Sequence, residues 1–302
     1  MGYGRWNDSD FRGYAATTNY RSAKATVQDV FVNREGKKEL LFENIGIRES
    51  RNSDANPFST PIILGLDVTG SMGQYASQIA KDDLPELITA IIDKGLTTDP
   101  HILVMGIGDP RAYDQAPGQA TQFETDLRII EQTRDLYIEG RGGGNSMEGY
   151  DLAWYFANFC TATDAKIDGR KGFIFTFGDE PPASNPLTEQ EWRKVFGGKE
   201  YPRFNSMNEL VDLTSKSWAI FHVVIEQGSF CQHSLTEVVS KWNDTIGAAR
   251  VLRVRDSRHI AKVCEMAIKI QNLNPDEPLP RELDTDAALR YAFSGLIARN
   301  EF

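Results

Sequence analysis

Ile62-Ile-Leu-Gly-Leu-Asp-Val-Thr-Gly-Ser-Met-Gly73 runs from an unbroken apolar stretch straight into a loop of oxygen-bearing side chains. A continuous apolar run of this length reads as a strand buried on both faces, as in parallel sheets covered by helices. The pattern recurs at His101-Ile-Leu-Val-Met-Gly-Ile-Gly108, Phe173-Ile-Phe-Thr-Phe177, Ala219-Ile-Phe-His-Val-Val-Ile225 and Ala249-Arg-Val-Leu-Arg-Val254. Helical patterns over 75–94, 123–137, 146–160, 188–196, 206–216, 234–243 and 257–271 separate these runs. The alternation predicts an α/β domain over 60–272, with a Rossmann-like, doubly wound, mostly parallel central sheet flanked by helices.

Outside this region the pattern changes. Residues 1–22 are rich in Gly, Tyr, Arg, Asn and Ser without a hydrophobic period, which predicts a flexible arm. Its rings, Tyr3, Trp6, Phe11, Tyr14 and Tyr20, are costly to leave in water and suggest docking to a partner. Residues 23–59 are expected as an extension laid against the core, with Val27-Gln-Asp-Val-Phe-Val32 a strand paired to Glu39-Leu-Leu-Phe42. Residues 273–302 open with Pro275, Pro278 and Pro280, a stiff linker, and continue into a helical stretch around 284–299.

The balance of the whole chain narrows its function. Its 302 residues carry 33 Lys+Arg against 43 Asp+Glu, a net charge of −10, and 40% are hydrophobic. That is a globular composition, and its acidity argues against direct binding to nucleic acid or to an anionic membrane. The apolar runs are too short to span a bilayer, and the first ten residues lack the apolar core of a leader. Cys160, Cys231 and Cys264 are odd in number with no Cys-x-x-Cys spacing, so they read as reduced core thiols of a cytoplasmic protein. His222 inside an apolar strand, and Tyr150, Trp154, Tyr155 and Phe159 on one helix, read as core. Arg250, Arg253, Arg255 and Arg258 form a local basic cluster that reads as a solvated strand edge and helix start.

In an open parallel sheet, ligands sit beyond the carboxyl ends of the strands. The first strand ends in Asp67, Thr69 and Ser71, whose i, i+2, i+4 spacing in a tight loop lets three oxygens converge. The third ends in Thr176-Phe-Gly-Asp-Glu180, which adds Asp179. Between them, Arg141-Gly-Gly-Gly-Asn-Ser-Met-Glu148 is a Gly-rich loop entering a helix, with Glu148 placed favourably for the helix dipole. Hard oxygen donors with few carboxylates suit Mg²⁺ (or Mn²⁺) and do not suit zinc.

The Asp67-x-Thr69-x-Ser71 motif after an apolar strand resembles the first element of the metal-ion-dependent adhesion site of von Willebrand factor A domains. In that family a Thr in a Gly-rich loop and an Asp at a later strand end complete the site. Asp179 fits the last element, with the usual Thr-Asp-Gly order replaced by Thr176-Phe-Gly-Asp179. Gly144 stands where the family has its Thr, so the third ligand is Asn145, Ser146 or a water. The resemblance covers about 60–272 and implies a von Willebrand factor A fold whose metal accepts an Asp or Glu carboxylate from a partner protein. It therefore implies adhesion without turnover, which together with the reduced cysteines makes a cytoplasmic adaptor the expected function.

Two other functions compete. Asp67-Val-Thr-Gly-Ser71 is also similar to the opening Asp-x-Asp-Gly motif of haloacid-dehalogenase-type phosphatases, which would make the chain a Mg²⁺-dependent hydrolase. Thr69 stands where that chemistry needs a second carboxylic acid, and a hydroxyl cannot protonate a leaving group at neutral pH. The third reading is a metal-independent structural or assembly component, with oligomerisation through the arm or the C-terminal helix.

Overall fold

All eight residues of Thr60–Asp67 are buried, as an unbroken apolar run in the middle of a sheet requires. The computed structural model describes residues 4–22, 24–72, 74–112, 114–139, 146–274 and 276–300. Its strands are β1 (Arg48–Ser50), β2 (Thr60–Asp67), β3 (Pro100–Ile107), β4 (Gly118–Ala120), β5 (Thr161–Thr163), β6 (Gly172–Gly178), β7 (Trp218–Ile225) and β8 (Val251–Val254). Six of them form one sheet in the order β4-β3-β2-β6-β7-β8, in which β4 alone runs antiparallel to its neighbour. β2 pairs with β3 from Thr60↔Pro100 to Asp67↔Ile107, and with β6 from Ile62↔Phe173 to Leu66↔Phe177. The chain leaves β2 on the β3 side and returns to the sheet at β6 on the other. The carboxyl ends of β2 and β6 therefore flank the switch point of a doubly wound α/β sheet, where loops diverge and leave a crevice.

Side chains alternate between two apolar layers with the period of 2 that a pleated strand dictates. Ile62, Leu64 and Leu66 join Phe173, Phe175 and Phe177 on one face, under the helices Leu84–Asp93 and Ile260–Gln271. Ile63, Met105 and Ile174 face the opposite layer, with Asp151–Phe159, Met207–Ser215 and Cys231–Ile246. Fully burying each such side chain is worth roughly 1.5–3 kcal/mol, so both layers are needed to hold the sheet. The helix expected over 75–94 contains a π-helical turn, Ile79–Asp83, between Tyr75–Gln78 and Leu84–Asp93. Pro85 lacks the N–H that a regular helix would use there, and the widened turn comes immediately before it.

Several flanking expectations are corrected. Val27–Val32 is not a strand: Val27–Val30 is a helical turn closed by a capping box, in which the Thr26 N–H donates to Asp29 Oδ2 at 2.7 Å. Glu39–Phe42 pairs only through an isolated bridge from Leu41 to Gln119, and Phe42–Asn44 turns as a 3-10 helix. Among the described residues of 1–22, Asp8–Thr18 is a helix capped by the Asn7 side chain, not an arm without periodic structure. Phe11 and Ala15, one helical turn apart, are buried with Trp6 and Tyr20 in the layer over Leu84–Asp93. Trp6 Nε1 donates to Thr89 Oγ1 at 3.0 Å and the Tyr20 hydroxyl to the Ala80 carbonyl at 2.7 Å. Trp6, Phe11, Tyr14 and Tyr20 are thus packed on their own chain, and Tyr3 lies outside the described residues.

The tail breaks into three short helices, Glu282–Thr285, Ala287–Ala292 and Ser294–Asn300, and Leu283, Leu289 and Phe293 are buried in the same layer. The helix expected over 123–137 shrinks to Arg128–Thr133, because Glu124 exchanges backbone hydrogen bonds with Ile102 along the outer edge of β3. The helix expected over 146–160 begins only at Asp151. A small parallel pair, β1 with β5, carries no hydrophobic run that could announce it. All three cysteines are buried and free. None of the described helices is long and apolar enough to cross a membrane.

Candidate functional site

Asp67 is the last residue of β2, and Asp179 follows directly on β6. The structure brings Asp67, Thr69, Ser71 and Asp179 together through two hydroxyl–carboxylate hydrogen bonds whose hydroxyl oxygens face each other. Asp67 Oδ1 accepts from the Thr69 N–H at 2.9 Å and from Thr69 Oγ1 at 2.6 Å. Thr69 Oγ1 lies 3.4 Å from Ser71 Oγ, which donates to Asp179 Oδ1 at 2.8 Å. Asp179 Oδ2 in turn accepts from the Phe230 N–H at 2.8 Å. Of the other sequence candidates, Asn145 lies outside the described residues. Ser146 is exposed with a left-handed backbone, φ 58°, and takes no part in these bonds.

A rigid aromatic floor holds the carboxylates from below. The Tyr150 hydroxyl donates to Asp67 Oδ2 at 2.7 Å, so each oxygen of Asp67 is oriented by a partner. Tyr150 packs edge-on to His222, which stacks on Trp242 at 3.6 Å between centroids, and Trp242 Nε1 donates to the Glu180 carbonyl at 3.0 Å. His222 is held as a core histidine, its Nδ1 2.8 Å from Thr176 Oγ1. Gly178 is obligatory here, since a Cβ would stand 1.9 Å from the Tyr150 oxygen. The ring that sequence periodicity reads as core thus has a polar end facing the site.

Glu148 is the candidate whose burial sequence reasoning missed. Its side chain is wholly buried, and neither carboxylate oxygen has a hydrogen-bond partner. The only sequence signal was a glutamate between a Gly-rich loop and a helix, which the dipole explains equally well. Its neighbours are other acids: burial first, then the charges of Asp67, Glu180, Asp109 and Asp114, raise its carboxyl far above the ordinary range. Burial also raises Asp67, against the lowering pull of the Thr69 and Tyr150 hydrogen bonds, and raises Asp179 against those from Ser71 and Phe230. Burial followed by the charges of Asp67 and Asp179 lifts Glu180 to about 7. Four buried carboxyl groups shifted the same way form a site that favours an added positive charge.

The donor set fits a hard divalent cation. It consists of carboxylate and hydroxyl oxygens, and Glu148 and Glu180 keep buried oxygens without partners. Asp67, Thr69, Ser71 and Asp179 would hold such an ion, which would neutralise like charges that now repel. Among the described residues no three His, Cys, Asp or Glu side chains form a metal cage unaided, so a shell here would draw on the hydroxyls of Thr69 and Ser71.

No protein-family model and no characterised protein sequence matches the chain. Solved structures do share its architecture. A pilus adhesin, SpaC from Lactobacillus rhamnosus GG in its open conformation, superposes with a TM-score of 0.50 at 13% identity over 75% of this chain. The chain spans 31% of that adhesin's length. Structures with a related fold include domains of the von Willebrand factor A type. One, from Catenulispora acidiphila, has a TM-score of 0.38 at 12% identity, covering 70% of this chain and 42% of its own. Another, from the type V pili tip protein Mfa5 of Porphyromonas gingivalis, has 0.42 at 10%, covering 73% and 98%. At such identities the likeness is one of fold.

Proposed function

We propose that the chain is a von Willebrand factor A-type interaction module that captures a protein partner by bridging the partner's Asp or Glu carboxylate through Mg²⁺ (or Mn²⁺). The observation that carries this reading is the convergence of the Asp67, Thr69, Ser71 and Asp179 oxygens at the switch point of the sheet. Two neutral hydroxyls among the donors leave a bound ion electrophilic toward one more oxygen. A charge-assisted contact to a desolvated carboxylate can dominate an interface whose rim contributes little. Thr69 donates its hydroxyl proton to Asp67, so the position at which a phosphatase would keep its acid is already committed to orienting a carboxylate. The reading is that of an adaptor without turnover, acting in the cytoplasm.

The test is co-purification of the tagged full chain with and without EDTA. Asp67→Ala and Ser71→Ala should lose the captured protein while melting cooperatively, and changing the partner's critical Glu or Asp to its amide should do the same. Capture that persists in Asp67→Ala with EDTA present would refute the metal bridge.

A further inference from the structure

Glu148 lies in a position that the order of the strands determines. Its N–H donates to the Pro181 carbonyl at 3.2 Å and it forms a parallel bridge with Pro182, which ties it to the segment leaving β6. The next residue, Gly149, is pressed against the segment leaving β3: a Cβ there would stand 2.4 Å from the Gly108 carbonyl. In the sheet, β2 lies between β3 and β6. A residue wedged between the carboxyl ends of the two outer strands sits over the end of the middle one, where Asp67 is. Both oxygens of Glu148 are buried there without a partner. Such a carboxyl is costly to ionise and stays protonated until a positive charge comes near, so its burial without a partner calls for an explanation.

We infer that Glu148 supplies a further donor to the divalent ion through a bridging water and so sets the ion's affinity at the Asp67 site. The inference rests on the metal reading proposed above. Asp67 and Asp179 are held by hydroxyls and backbone N–H groups, whereas neither oxygen of the Glu148 carboxyl has a hydrogen-bond partner.

The experiment uses the full chain with Mn²⁺ as the probe. Binding is read by titration calorimetry and by the loss of the free-ion electron paramagnetic resonance signal, and melting is recorded without metal. Wild type should bind Mn²⁺. Glu148→Gln and the apolar Glu148→Met should weaken Mn²⁺ by about tenfold or more, and Glu148→Met should raise the metal-free melting temperature. The methionine variant, which buries no amide, keeps the test readable if the glutamine variant folds poorly. A merely structural Glu148 would shift melting and leave Mn²⁺ affinity unchanged, and that result overturns the inference. If Asp67→Asn loses Mn²⁺ while both Glu148 variants keep it, this inference fails and the metal site stands. If wild type itself binds no Mn²⁺, both fail.

Discussion

Two groups of buried carboxylates stand side by side at the carboxyl end of the sheet, and they differ in one respect. Asp109 and Asp151, wholly buried, face Arg111, whose guanidinium reaches Asp151 at 2.8 and 3.2 Å and Asp109 at 3.4 Å and also donates to the Asn185 carbonyl. Asp67, Glu148, Asp179 and Glu180 are as deeply placed, yet Asp67 and Asp179 meet only hydroxyls and backbone N–H groups, and Glu148 meets mainly the repulsion of its acidic neighbours. The first group is answered by its own cation and reads as structure. The second is left short of positive charge, which is the deficit that the proposed cation would meet.

The comparison breaks most violently at Arg111. Removing it by Arg111→Ala strands Asp151 as a buried, uncompensated charge, a loss that typically costs about 3–5 kcal/mol. Urea denaturation should show the midpoint falling accordingly with an unchanged slope. A loss under about 1 kcal/mol would mean that the pair is solvated like an ordinary surface bridge.

The second group should respond to what the first ignores. A cation that binds the folded chain alone stabilises it by mass action, about 2.7 kcal/mol at a hundred times its dissociation constant. Millimolar Mg²⁺ should therefore raise the melting temperature of wild type and of a stable Arg111 variant, but not of Asp67→Ala. Flat melting across the titration, with EDTA equally silent, would remove the distinction between the two groups.

How far this was legible in the sequence follows the same physics. β2, β3, β6 and β7 announce themselves because a strand buried on both faces must be apolar throughout, and Asp67, Thr69, Ser71 and Asp179 are visible as polar punctuation at their ends. Local chemistry that overrides pattern was misread. Thr26 and Asp29 close a helical turn inside an apparently strand-like run, and Asn7 starts a helix whose buried face is only Phe11 and Ala15. The burial of Glu148 was illegible for a deeper reason. It depends on Pro181 and Gly108, far away in sequence, closing on either side of residues 148–149, and nothing local records that. Tyr150 was legible as a core ring, but its bond to Asp67 is a consequence of the fold.

The smallest effect comes from a carboxylate that belongs to neither group. Asp83 ends the π-helical turn, is 2% exposed, and has no partner for its Oδ2. Burial, reinforced by the charges of Asp82, Glu86 and Asp256, pushes its carboxyl up to about 8. No hydroxyl ladder accompanies it, so it should titrate without binding a cation. Because the folded form holds its proton to higher pH than the unfolded chain does, stability falls as pH rises from the ordinary carboxylate range toward 8. The slope cannot exceed about 1.4 kcal/mol per unit from this group, and solvent and relaxation reduce it, so about 1 kcal/mol between pH 6.5 and 7.5 is the expected loss. Asp83→Asn, which has no proton to lose, should flatten that part of the profile, and Mg²⁺ should not alter the difference between the variant and wild type. If Mg²⁺ abolishes the difference, Asp83 is coupled to the cation site across the sheet. If the two profiles are parallel without metal, its buried oxygen is answered by solvent, and a lone buried carboxylate here costs nothing that pH can reveal.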